Sequence, residues 1–236
     1  MPGLRFLLGG IVLANAATGG LAVEDRPIEI PKIDVVYPPY GTVFDRTCGD
    51  FVKSGGGAPE EIAAAGKLRP DLQAEWDREG PGYLSVVRRE IGLPFPYAEM
   101  QVVLTVCPVG TMSMPLLVNV RAFLPGRAAT ERPPAGDFSE KVFHELMHHY
   151  VAPVHATSSL RKKYEKESPV VVNHLHVMAL EKLALTKLDK TEELRYLEKL
   201  YRTDPPPAHY RRAWEIVVDV EGPEPFLSEL KAAARR

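Results

Sequence analysis

Apolar positions along this chain fall into runs of helical and strand-like spacing, and two of the helical runs dominate. In the first, Phe143, Leu146, Met147 and Tyr150 recur at i, i+3, i+4 and i+7, the core stripe of an amphipathic helix. Asp137 with Glu140 three residues later predicts a capping box that starts this helix at Phe138, and Ala152-Pro153 ends it, giving a helix over 138–152. In the second run, residues 169–188 are apolar almost all round: Val170, Val171, Val172, Leu175, Val177, Met178, Ala179, Leu180, Leu183, Ala184 and Leu185 leave no polar face. Such a helix is buried, and Ser168-Pro169 supplies its N-cap and first residue. It nevertheless carries His174, His176 and Glu181, buried polar groups that need partners.

The rest of the pattern is less regular. Three short helical stretches, around residues 59–65, 70–79 and 82–91, are punctuated by Pro70, Gly80, Pro81 and Gly82, with Trp76, Tyr83, Leu84, Val87 and Ile91 on their buried faces. Residues 101–107 and 116–123, rich in valine and leucine, predict two adjacent strands joined by a loop, a strand pair spanning 101–123. Downstream come an amphipathic helix over 191–201, a rigid turn at 204–207, a helix over 209–220 containing Trp214, and a terminal helical segment from 225 whose end frays. Before the helices, the prolines of 26–39 and the run Ser54-Gly55-Gly56-Gly57 predict an extended arm over 23–57. The stretch 58–236 reads as a single domain.

Composition narrows the class. At 236 residues and 45% hydrophobic, the chain is globular in type, and 29 basic against 31 acidic residues with no basic stripe exclude nucleic acid as a partner. Arg5 followed by the short apolar stretch 6–13 and Ala14-Asn15-Ala16 predicts a signal peptide over 1–22, hence an exported protein, periplasmic or secreted, with no stable membrane span after cleavage. Export leaves Cys48 and Cys107 open to two readings, a disulfide or two buried thiols.

The chemistry concentrates in His144-Glu145-Leu146-Met147-His148. Four residues apart on a helix, His144 and His148 share a side and can converge on one ion, with Glu145 about 100° round from His144. The pattern resembles the His-Glu-x-x-His signature of zinc metallopeptidases of the zincin superfamily. That resemblance implies an α+β, zincin-like fold, with a small strand-bearing N-terminal part and a mainly helical C-terminal part meeting at a metal site. It implies Zn2+ held by His144 and His148, Glu145 as general base, and a peptide or protein as substrate.

A catalytic zinc needs a third protein ligand. His174 on the buried helix is the first candidate and His176 the alternative, with Glu181 and Glu167 behind them. Tyr210 and His209, and with them Tyr201, are candidate hydrogen-bond donors to the transition state because they lie after the ligand helix. Strand 116–123 could pair with an extended substrate along its edge. From another class comes the reading of a zincin-fold binding protein, periplasmic or secreted, that has lost turnover.

Overall fold

The computed structural model describes residues 29–50, 56–125, 136–203 and 208–236. The predicted signal peptide, the glycine run as far as Gly55 and the turn at 204–207 lie outside them. Within them the protein is a mostly helical α/β structure with one small sheet.

The sheet is built from β1 (Lys32–Val36), β2 (Glu99–Thr105) and β3 (Leu117–Asn119), in that order and all parallel. The two strands expected over 101–123 are therefore neighbours, but they run the same way and the second is only three residues long. A third strand, β1, comes from the stretch expected to be an arm, and it is followed by α1 (Pro39–Thr47). The proline signals there are real but local: Pro38 takes the N-cap position and Pro39 the first helical turn, where a missing N–H costs nothing. Alternating burial of Ile33 and Val35 then anchors β1 in the core.

This part of the chain is also tied down covalently. Cys48 is bonded to Cys107, with Cα atoms 6.1 Å apart, which settles the open reading of the two cysteines. Beside the bridge, the fully buried carboxylate of Asp45 accepts hydrogen bonds from Tyr37 Oη (2.7 Å), Val106 N (3.0 Å), Cys107 N (3.2 Å) and Thr105 Oγ1. A carboxylate with four donors is adequately satisfied out of water.

Both outer edges of the sheet are occupied. On β1, Val35 N donates to Gln73 Oε1 (2.6 Å), while Gln73 Nε2 donates to Ile33 O (3.1 Å). On β3, Leu117 and Met112 exchange both backbone bonds at 2.9 Å, and Asn119 N donates to Thr111 Oγ1 (3.3 Å). Strand 116–123 thus has no free edge for an extended substrate to join, because residues 111 and 112 fold back over it.

Gln73 belongs to α2 (Pro59–Ile91), a single helix of 33 residues where three short ones were expected. Pro70 and Pro81 lie inside it, each of which ordinarily costs a helix about 3 kcal/mol. The helix continues because Ile62, Ala65, Leu72, Trp76, Tyr83, Leu84, Val87 and Ile91 form one uninterrupted buried stripe. At Gly80 a Cβ would come within 2.4 Å of the Trp76 ring, so that glycine reflects close packing and not a break. The helix ends at Gly92, whose φ of 90° is the left-handed C-cap that favours glycine.

The remaining helices surround α5 (Pro169–Lys187), which packs against α3 (Asp137–Val151), α6 (Thr191–Thr203), α7 (Ala208–Trp214) and α8 (Glu224–Ala233); α2 also packs on α3 and α5. A short α4 (Ser159–Lys163) links α3 to α5, and a π-helical stretch (Glu215–Val220) ends the helix expected over 209–220. The C-terminal segment is helical to Ala233, packed through Phe226, Leu227 and Leu230, and closes in a hydrogen-bonded turn. Ser168 caps α5 as expected, its hydroxyl accepting from Val171 N. Ser168→Ala is expected to lower unfolding free energy by about 1 kcal/mol in chemical denaturation.

The start of α3 departs from expectation. Gly136, with φ of 90°, is the N-cap, and Asp137 lies inside the first turn, paired with Lys141. The N–H of Ser139 is taken by Glu75 of α2 at 3.1 Å, so a partner from another helix replaces the local capping box. Glu140 is thereby free to turn into the core.

Candidate metal centre

Helices α3 and α5 face each other across the core, and each presents polar residues at helical repeats. On α3, Glu140, His144 and His148 succeed one another by four; on α5, His174 and Glu181 are seven apart (181 − 174 = 7), two turns and therefore one face. Where these two stripes meet, His144, His148 and His174 bring one ring nitrogen each within 4.8 Å of one another. Ring centroids lie 5.1 Å apart for His144 and His148, 5.2 Å for His144 and His174, and 4.7 Å for His148 and His174. His174, the first candidate for a third ligand, is thus brought together with His144 and His148.

The identity of the converging nitrogens is set by the partners of the others. His144 Nδ1 lies 2.6 Å from Glu181 Oε1, and His174 Nδ1 lies 2.6 Å from Val170 O. Both are acceptors, so each Nδ1 carries the proton and each Nε2 keeps its lone pair. His144 Nε2 is 3.3 Å from His148 Nε2. Burial keeps His148 and His174 neutral, lowering them to about 2 and about 4. Neutral imidazoles are the form that binds metal. With one nitrogen from each ring within 4.8 Å of the others, the group could hold a metal ion.

The site lies within the helical layer, between α3 and α5, and receives nothing from the sheet. Glu145, next to His144, is also interior: it is 5% exposed, and burial raises its carboxyl to about 7 against the lowering effect of His144. Tyr210 lies over the same place, its ring 4.4 Å from His174 and 6.0 Å from His144. Its phenol is pushed up to about 12, first by burial and then by the charge of Glu145, so it stays a donor at neutral pH.

The remaining candidates are used elsewhere. His176 points away from the cluster, with Nε2 3.0 Å from Glu229 Oε2 and its ring against Phe226 at 5.5 Å, so it contacts α8 and lies outside the group of three histidines. Two positions along a helix turn a side chain about 200°, which is why His174 and His176 separate. Glu167 accepts from Arg212 at 2.8 Å. His209 stands further out, 6.4 Å from His174 between ring centres. Tyr201 donates to Glu181, 3.4 Å from both its oxygens, and stacks on Tyr210 at 5.8 Å. Glu181 is therefore a partner of His144 and lies outside the group of three histidines.

One functional group escaped the sequence pattern. Glu140, whose carboxyl turns toward Glu181, is raised well above the usual range, by burial first and then by the charge of Glu181, and burial also raises Glu181, to about 7. The signal was available as Glu140-x-x-x-His144, the spacing that stacks side chains on one helical face, but the same residue also satisfied a capping pattern. Together Glu140, His144 and Glu181 form a second group whose ligand atoms lie within 4.8 Å of one another.

Comparison of the chain with protein-family models, with curated proteins and with solved structures returned no match.

Proposed function

We propose that this chain is an exported zinc-dependent metallopeptidase of zincin type, with zinc held by His144, His148 and His174. The observation that carries the reading is the convergence of three imidazoles, two of them with Nδ1 held by an acceptor, beside the buried Glu145. Zinc bound there would supply a Lewis acid to an acyl carbonyl and lower the pKa of a water.

The protein's own residues do the rest. Glu145 accepts the proton of the attacking water at its carboxylate and hands it to the leaving amine. Burial suits it to both steps, since a carboxyl near 7 exchanges a proton readily at neutral pH. Tyr210 offers its phenolic O–H to the carbonyl oxygen as charge develops there. The disulfide Cys48–Cys107 supports export, because such bonds persist in oxidising compartments. Among the described residues no helix is long and apolar enough to cross a membrane.

A second reading, a zincin-type binding protein without turnover, draws support from the occupied sheet edges, which remove the strand-addition route for a peptide. One experiment separates the two. Elemental analysis of the purified protein is expected to give one zinc per chain, and hydrolysis of a peptide library is expected to disappear with a chelator and return with zinc. Stoichiometric zinc without hydrolysis of any peptide favours the binding protein; absence of bound metal rules out both.

A further inference from the structure

His144 is held from behind by a carboxylate that is itself wholly removed from water. Glu181 has no exposed surface, and a buried carboxylate persists only where donors satisfy it. Two donors do so: His144 Nδ1 at 2.6 Å and Tyr201 Oη at 3.4 Å from each oxygen. Tyr201 is itself fixed, with its ring 5.2 Å from Trp214. Glu181 also lies two turns after His174 on the same face of α5, so one rigid helix presents a ligand to the ion and a partner to another ligand.

We propose that Glu181 is a positioning residue of the metal centre, holding His144 by Nδ1 so that Nε2 stays turned toward the ion. The inference rests on the metal reading above and adds a residue that never touches the ion. A carboxylate on the far nitrogen fixes the imidazole's tautomer and ring orientation and raises its basicity toward a cation. Tyr201, held against Trp214, fixes the position of that carboxylate. The carboxyl group around His144 Nδ1 could itself take a cation, which would draw Nδ1 away from Glu181; the two arrangements predict different stoichiometry.

The test uses the full-length chain as wild type, Glu181→Gln and Tyr201→Phe. Zinc affinity is measured by competition with a chromophoric chelator, the visible spectrum is recorded after Co2+ substitution, and melting temperature is taken in excess chelator. Glu181→Gln keeps the shape and loses the charge, so it is expected to bind zinc about 10–100-fold more weakly. Its Co2+ bands should shift while its metal-free melting temperature stays close to that of wild type. Unchanged affinity and spectrum with a lowered metal-free melting temperature would overturn the proposal and leave Glu181 a core residue. Loss of a second equivalent of metal in Glu181→Gln would also overturn it, in favour of a cation among the carboxyls. Should Glu181→Gln not fold, Tyr201→Phe, which removes one donor from Glu181 alone, is expected to weaken zinc binding a few-fold, and an unchanged affinity there counts against the proposal. Failure of wild type to bind any metal is a separate outcome that removes the underlying metal reading as well.

Discussion

His174→Ala is expected to cost the protein its stoichiometric metal, whereas His176→Ala is expected to keep it. His174 projects its ring into the cluster, 4.7 Å from His148 and 5.2 Å from His144, with Nδ1 committed to Val170 O. Its removal leaves two imidazoles from one helix, too few to hold zinc firmly against water. The loss of affinity should exceed the roughly 10–100-fold associated with an outer partner. His176→Ala instead removes the bond to Glu229 and should lower stability by about 1–3 kcal/mol, the range for breaking a buried polar pair. Metal content after gel filtration, with chelator competition for both variants, checks the contrast. Full metal retention by His174→Ala would show that the ion does not sit among these three rings.

The second large effect concerns turnover. Glu145→Gln preserves size and the hydrogen-bonding outline but cannot take a proton, so hydrolysis should fall about 10²–10⁴-fold, the usual contribution of a general base. Metal content should stay at the wild-type value, because Glu145 is not among the converging ligands. The measurement is kcat on the best peptide from the library, read beside zinc stoichiometry for both proteins. If the variant turns over like wild type, Glu145 is not the base.

The motif helix and the buried helix were legible because both rest on short-range signals: an i, i+3, i+4, i+7 stripe over Phe143–Tyr150 and a continuous apolar run after Ser168-Pro169. The separation of His174 from His176 is a matter of helical angle alone, and the cluster and the Glu229 contact match it. Local signals could not give the features that depend on distant partners. Pro70 and Pro81 read as breaks, yet the buried stripe of α2 carries the helix through them. Asp137 read as a cap, yet Glu75 from another helix satisfies that turn. The prolines of 26–39 read as an arm, although Ile33 and Val35 pair with β2 and the bridge at Cys48 pins the end of α1. The Glu140–Glu181 pair joins residues forty-one positions apart (181 − 140 = 41), a separation that no periodicity reports.

The occupied sheet edges bear on how the protein behaves in concentrated solution. A short parallel sheet with open rims is a template for other copies of itself, since each unpaired N–H and C=O can recruit a strand. Here Gln73 and Arg69 cover the rim of β1 and the fold-back through Thr111 and Met112 covers that of β3. Among the described residues the sheet therefore offers no open rim to another copy, and aggregation on heating should wait for α2 or the 111–112 segment to detach.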